Sequence, residues 1–334
     1  MTSIIDLIIV GGGPAGLYAA FYGGLRDLSI ALLEARGTLG GKINFYPEKF
    51  VWDIGALPAT QGKKVRQNLI EQAETFGPEI SLNTKVTHIT QKNNLFYVTD
   101  NQHQTRVCRS ILLAVGGGVV APKKLSVPIN EELSSNVHYA FPNHQAIKGK
   151  RLVISGGGDA ALDYGNECLD YAKEVFVVYR GNSLKALEAS HRNFLEKGGQ
   201  LLLNQEIHGV RQGSSHEMEI VLSNQVLATD HLLIQHGYDR DSSLLDNLPF
   251  TFEKVDNFYL HCDIPTQTNI PGIFAAGDIQ TSKGKLHLLA GAFQDAANSI
   301  NLIKQYLDPE SHQQAMVSSH NHKFDEKNHL LLNK

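Results

Sequence analysis

Hydrophobic positions along this chain fall into short solid runs that end in glycine. Ile4-Ile5-Asp6-Leu7-Ile8-Ile9-Val10 fills one strand length and breaks into Gly11-Gly12-Gly13-Pro14-Ala15-Gly16; apolar residues then resume as Leu17-Tyr18-Ala19-Ala20-Phe21. A solid run of that length predicts a strand buried on both faces, then a turn and a helix. Ser29-Ile30-Ala31-Leu32-Leu33 predicts the next strand. A helical pattern covers 63–76, with Val65, Leu69 and Ala73 on one face. Alternating pieces at 79–82, 85–89, 95–98 and 106–108 predict a small strand cluster, and 110–115 a further buried strand ending in Gly116-Gly117-Gly118.

The opening pattern then recurs. Arg151-Leu152-Val153-Ile154-Ser155 runs into Gly156-Gly157-Gly158-Asp159-Ala160-Ala161-Leu162, followed by a helix to Tyr171 and a strand, Val175-Phe176-Val177-Val178. Further strands are predicted at 200–203, 218–222 and 231–235, and a buried one ends in Gly277-Asp278. A long apolar helix follows over 286–306. From about Ser311 the chain is polar and carries His312, His320, His322 and His329 without regular metal spacing, which predicts a flexible or partner-packed tail.

Both turns have the spacing Gly-x-Gly-x-x-Gly/Ala, which suits a dinucleotide. The first glycine permits a tight bend, the second lets backbone approach a pyrophosphate, and the third brings helix and strand together. The helix N-terminus presents free N–H groups and a positive dipole end to the phosphates. Glu34 closes the second strand of the first unit, about 20 residues beyond the turn, where a carboxylate takes ribose hydroxyls. In the second unit that place holds Tyr179-Arg180-Gly181-Asn182-Ser183-Leu184-Lys185, with no acid. Arg180 and Lys185 can neutralise a 2′-phosphate that an acid would repel, or they are ordinary surface cations. The first site reads as FAD and the second leans to NADPH, two dinucleotides held face to face.

Composition narrows the class. The 334 residues suffice for two domains; 42% hydrophobic and 19% charged content describe a globular chain, and a net charge of −4 offers nothing to nucleic acid or an anionic membrane. The first apolar run is too short to span a bilayer and lacks a basic n-region and cleavage site, so a cytoplasmic protein is expected. Cys108, Cys168 and Cys262 are isolated thiols with no CxxC spacing.

The combined motifs resemble the thioredoxin-reductase-like flavoproteins, and within them the ferredoxin/flavodoxin–NADP+ reductases. The resemblance is carried by Gly11–Gly16, Phe21-Tyr22-Gly23-Gly24, Tyr46-Pro47-Glu48-Lys49, Gly156–Asp163, Ala276-Gly277-Asp278-Ile279, Gly284-Lys285-Leu286 and Asp308-Pro309. It implies an α/β fold of two Rossmann-like three-layer nucleotide-binding domains, the second inserted in the first. The expected FAD-binding domain is 1–115 with 267–334, and the NAD(P)H-binding domain 116–266. The resemblance implies that Gly11, Gly13, Pro14, Ala15, Gly16 and Glu34 hold the adenosine diphosphate half of FAD. Asp278 takes a ribityl hydroxyl, Tyr46 stacks on the flavin ring, and Gly41, Lys42, Asp53, Val86, Gly116, Lys285, Ser318 and Ser319 complete the site. Gly156, Gly158, Asp159, Ala160, Ala161, Tyr179, Arg180 and Lys185 hold NADPH. A helix starting near Leu286 aims its N-terminus at the flavin.

Three departures from the family pattern stand out. The usual His-Arg-Arg is Tyr179-Arg180-Gly181, with Lys185 for a downstream Arg; the usual Gln is Lys42; and the flavin-covering tail position is Val317, ahead of Ser318, Ser319 and His320. No cysteine pair precedes the second turn, where the chain reads His138-Tyr139-Ala140-Phe141-Pro142-Asn143-His144-Gln145. The expectation is therefore hydride transfer between NADPH and FAD, then single electrons to ferredoxin or flavodoxin, by a homodimer in which Tyr46, Ser318 and His320 gate the flavin. An NAD(P)H oxidase or diaphorase using oxygen, quinone or free flavin is the alternative enzyme, and a flavin redox sensor the non-enzyme one. Lys63, Lys64 and Arg66 form either a docking patch for an acidic carrier or a solvated helix face.

Overall fold

The computed structural model describes residues 4–118, 121–213, 218–239, 241–262 and 264–333. The chain divides into two compact units, Met1–Val119 with Arg240–Lys334, and Val120–Asp239.

In the first unit β1 (Ile5–Val10), α1 (Pro14–Leu25), β2 (Ile30–Leu33), α2 (Gly62–Ala73), β3 (Glu79–Ser81), β4 (Val86–Lys92), β5 (Leu95–Asp100) and β6 (Thr105–Leu113) follow in order. The sheet runs β3-β2-β1-β6-β5-β4. β1 is parallel to β2 and β6, while β4, β5 and the first half of β6 form an antiparallel meander. Strand alternation puts successive side chains on opposite faces, and both faces are covered. Leu7 and Ile9 face a core shared with α1 and α2, whereas Ile8 and Val10 face a second core shared with Ile89, Phe96 and Val98. The pieces expected separately at 106–108 and 110–115 are one strand, because β6 is continuous across both partners.

The second unit contains β7 (Val137–His138), β8 (Arg151–Ser155), α3 (Asp159–Cys168), β9 (Glu174–Tyr179), α4 (Glu188–Glu196), β10 (Gln200–Leu203) and β11 (His231–Ile234). Its five strands are parallel in the order β7-β11-β8-β9-β10. An antiparallel meander over Ile207–Gln212, Met218–Leu222 and Val226–Thr229 covers one face, with Val210 and Ile220 against Val153 and Val178. Leu162 and Phe194, from α3 and α4, pack on the other against Leu152 and Ile154. Each unit is thus a three-layer arrangement of the Rossmann kind.

The return to the first unit falls at residue 240, not 267 as expected. Leu245, Leu248, Phe252, Phe258 and Leu260 already pack into the core beneath β4 and β5, ahead of the buried strand at which the sequence pattern restarts. That strand, β12 (Ile273–Ala275), pairs in parallel with the second half of β6. α5 (Leu289–Leu307) begins three residues later than the apolar run, since Leu288 is extended, at φ −128° and ψ 170°. The chain ends in α6 (Asp325–Leu332). Among the described residues no helix is long and apolar enough to cross a membrane.

Candidate nucleotide sites

The first glycine turn is shaped by close approach. Gly11 has φ +110°, and a Cβ there would lie 2.5 Å from the carbonyl oxygen of Ala114. At Gly16 a Cβ would run into the carbonyl of Gly11. Gly13 differs: its φ is −79°, and a Cβ would meet only Gly41 Cα, 3.8 Å away. A second glycine turn docks here, Gly40 N–H donating to Gly12 O at 2.8 Å. Gly13 and Gly41 therefore meet backbone to backbone: a Cβ on Gly41, at φ +55°, would lie 2.9 Å from Gly13 Cα. α1 opens beside them with Pro14 in its first turn and no side chain capping it, as an N-terminus that receives a phosphate would.

Glu34 is fixed at the end of β2. It is 8% exposed; Oε2 accepts from the Gly12 N–H at 2.6 Å and Oε1 from the Arg36 N–H at 2.8 Å. Each oxygen keeps a second lone pair for a hydroxyl donor.

Lys42 lies in the 3₁₀ turn Gly41–Phe45, and its Nζ is 2.8 Å from Asp278 Oδ2. Asp278 follows β12, and a Cβ on neighbouring Gly277 would lie 3.1 Å from Ala15 Cβ, so this turn abuts the start of α1. His287 Nδ1 is 3.5 Å from Asp278 Oδ1. Burial pushes the Asp278 acid upward, but hydrogen bonding and charge from Lys42, then His287, hold it below the usual carboxylate range. Tyr46 ends the same 3₁₀ turn; burial, then the charges of Asp53 and Asp278, push its phenol up. Gly116, at φ +58°, turns the chain after β6 with nothing in its Cβ direction. Asp53 is exposed, whereas the Val86 side chain is buried in the core.

Two sets of expected residues are placed elsewhere. Lys285 forms a buried ion pair with Asp295 of α5, which also accepts the Gly277 N–H at 3.0 Å. Its ammonium is spent inside the protein and braces the turn that carries Asp278. Ser318, Ser319 and His320 are exposed, and Ser319 Oγ bonds to His320 Nδ1 at 3.0 Å. Their tail is anchored at the other end of α1. Lys323 Nζ donates to the carbonyls of Gly24 and Leu25 at 3.3 and 3.1 Å, and Phe324 packs on Phe21 and Phe76. Those carbonyls are the acceptors a helix C-terminus leaves unpaired. The tail is thus packed on its own chain.

The second cradle repeats the first. α3 starts at Gly158, uncapped by any side chain and with nothing within 4 Å of its Cβ direction. The Tyr179 ring packs over Gly157 and Gly181, where added Cβ atoms would lie 2.5 Å from it. Lys185 N–H donates to Gly157 O at 2.7 Å, and Leu187 N–H to Asp159 Oδ1 at 2.8 Å. These bonds fold the 180–187 loop back over the turn with Arg180 and Lys185 exposed; Ala160 is exposed and Ala161 buried. His236 escaped the sequence reading. Its Nε2 lies 2.8 Å from Ser155 Oγ, and burial, then the Arg180 charge, keeps its pKa below the usual value. Asp295 was missed too, although a lone acid in a long apolar helix is a readable signal.

Cys108, Cys168 and Cys262 form no disulfide and are buried, and burial pushes the Cys108 thiol up to about 12. A thiol so shifted carries little thiolate at neutral pH and is inert.

The sequence pattern described as pyridine nucleotide-disulphide oxidoreductase matches residues 5–298. A Bacillus licheniformis protein named ferredoxin–NADP reductase 1 is 40% identical over 341 residues, covering 99% of this chain and 98% of its own. One of the same name from Oceanobacillus iheyensis is 41% identical, covering 98% of this chain and 97% of its own. Among solved structures, Lactococcus lactis thioredoxin reductase superposes with a TM-score of 0.72 at 23% identity, over 91% of this chain and 99% of its own. That likeness concerns the fold.

Proposed function

The chain belongs to the pyridine nucleotide-disulphide oxidoreductase family, and on that footing we propose that it is a ferredoxin–NADP reductase. It moves hydride between NADPH and FAD and single electrons to a small carrier, ferredoxin or flavodoxin. The observation that carries this reading is the pair of glycine cradles with opposite charge at the ends of their second strands: Glu34 in one, Arg180 with Lys185 in the other. The names of relatives some 40% identical over nearly the whole chain support ferredoxin over oxygen as the acceptor.

The residues present fit FAD, because Gly13 keeps an uncrowded Cβ direction beside an uncapped helix N-terminus. Bound FAD supplies the conversion between hydride and single-electron transfer. In this reading the first glycine turn and α1 hold its pyrophosphate, Glu34 an adenosine ribose, Asp278 a ribityl hydroxyl, and Tyr46 packs against the ring. At the second cradle α3 takes the NADPH pyrophosphate, while Arg180 and Lys185 neutralise the 2′-phosphate. The stretch 138–145 holds no sulfur. It is pinned instead by His138 to His231 at 3.1 Å, His144 to Glu167 at 2.7 Å and a stack of Phe141 on Tyr164. Electrons therefore leave directly to the carrier.

A homodimer is part of the proposal. Phe50, Trp52, Val317 and Leu330 to Leu332 are exposed, Leu332 at 85% and Trp52 at 76%; apolar surface of this kind suits an interface. Sedimentation at micromolar concentration tests it, a monomer being the contrary result. Buried thiols outside any disulfide suit a reducing compartment, and we place the protein in the cytoplasm.

Anaerobic mixing of the yellow protein with NADPH or NADH, then with ferredoxin, flavodoxin or oxygen, tests the activity. NADPH is expected to bleach the flavin faster than NADH, and a carrier to restore the colour faster than oxygen. Faster bleaching by NADH removes the role given to Arg180 and Lys185. Oxygen matching the carriers replaces the reductase by an oxidase.

A further inference from the structure

Asp278 is the hub of a charge cluster at the mouth of the first cradle. One carboxylate oxygen meets Lys42 at 2.8 Å, the other His287 at 3.5 Å. Asp278 follows β12, whose partner β6 lies beside β1, and its turn abuts Ala15. Lys42 is next to Gly41, whose backbone packs against that of Gly13. Both charges thus flank the crevice outside the carboxyl ends of parallel strands, where this fold binds ligands.

Stability does not account for the pair. The side chains of Lys42 and Asp278 are 52% and 36% exposed, and ion pairs of that exposure contribute about 0–1 kcal/mol. The same turn is already braced from inside by the buried Lys285–Asp295 pair through Gly277. Lys42 adds a permanent positive charge to a carboxylate whose other charged partner is His287, cationic only when protonated.

We propose that Lys42 is a positioning residue acting through Asp278: it fixes and neutralises that carboxylate beside the flavin, and so raises the potential at which the flavin is reduced. The inference rests on the flavin reading above. Reduction adds negative charge to the cofactor, which an uncompensated carboxylate opposes and a neutralised one does not. Removing the cation and removing the acid should therefore act in opposite directions, which a purely structural contact would not do.

The experiment is a spectroelectrochemical titration of FAD in the holoprotein and its variants. Lys42→Gln should lower the flavin midpoint potential and Asp278→Asn raise it. Lys42→Arg should restore the parent value, and the double variant should lie close to it. Variants that keep FAD but show unmoved potentials, or shifts of the same sign, overturn the inference and leave the flavin reading standing. A purified protein that binds no FAD overturns both.

Discussion

Three glycines of the first turn look alike in the sequence and are held for different reasons. Gly16 touches the Gly11 carbonyl, so Gly16→Ala forces backbone apart; a loss of about 1–3 kcal/mol is expected from chemical denaturation, as for other overpacked sites. Gly13 has an ordinary φ and an open Cβ direction. Gly13→Ala should therefore leave the apoprotein within about 0.5 kcal/mol of the parent, while a fluorescence titration shows FAD affinity reduced by about tenfold or more, a cost of about 1.4 kcal/mol. In the second unit Arg180→Ala removes a charged hydrogen bond worth about 1.5–3 kcal/mol. The KM for NADPH should rise by about 10- to 100-fold with that for NADH unmoved, as steady-state rates with both nucleotides will show. The places of Glu34, Arg180 and the glycines in the fold were legible because each stands at a fixed short spacing from its own turn. His236 was not, because its partner Ser155 is 81 residues away.

Between elements, buried polar contacts set register. Asp295 joins α5 to the turn after β12 and neutralises Lys285, whose side chain is 4% exposed. Asp295→Ala leaves that ammonium buried and unpaired, and a loss of about 3–5 kcal/mol is expected in urea melts. Lys285→Met combined with Asp295→Leu should recover most of it, since a buried pair is replaceable by apolar volume. At the edge of the second sheet, His138 of β7 meets His231 of β11. Burial, then the charge of His231, lowers the His138 pKa from 6.5 to about 4. Between those values the unfolded chain binds the proton and the fold does not, so stability falls as pH drops through that window. Thermal melts from pH 7 to pH 4 should show this decline, and His138→Gln should flatten it.

At the scale of the whole molecule, the inserted unit has two cores of its own, one on each face of its sheet. Its ends also meet: Ala121–Pro122 pairs antiparallel with Tyr238–Asp239. An excised 120–239 fragment is expected to melt cooperatively and to bind adenosine 2′,5′-bisphosphate, measured by calorimetry; a non-cooperative melt would show that the insert depends on its host. A second unit was legible, because a repeated strand–glycine–helix pattern announces it; its insertion into the first was implied only by the family resemblance. Its far boundary was not legible. Residues 244–260 carry no repeat pattern, and only their packing beneath β4 and β5 assigns them to the first unit.

The sequence alone determined whatever depends on short spacing and residue type: two dinucleotide turns, the acid that ends one unit and the cations that end the other, and thiols outside any CxxC spacing. Tertiary structure decided everything that needs distant segments to meet. It turned Lys285 inward onto Asp295, brought Lys42 onto Asp278 across 236 residues, and tied Lys323 to the far end of α1 across 299. The physical reason is that a backbone turn is specified by its own glycines, whereas a buried or bridged charge is specified by whichever neighbour the completed core places beside it.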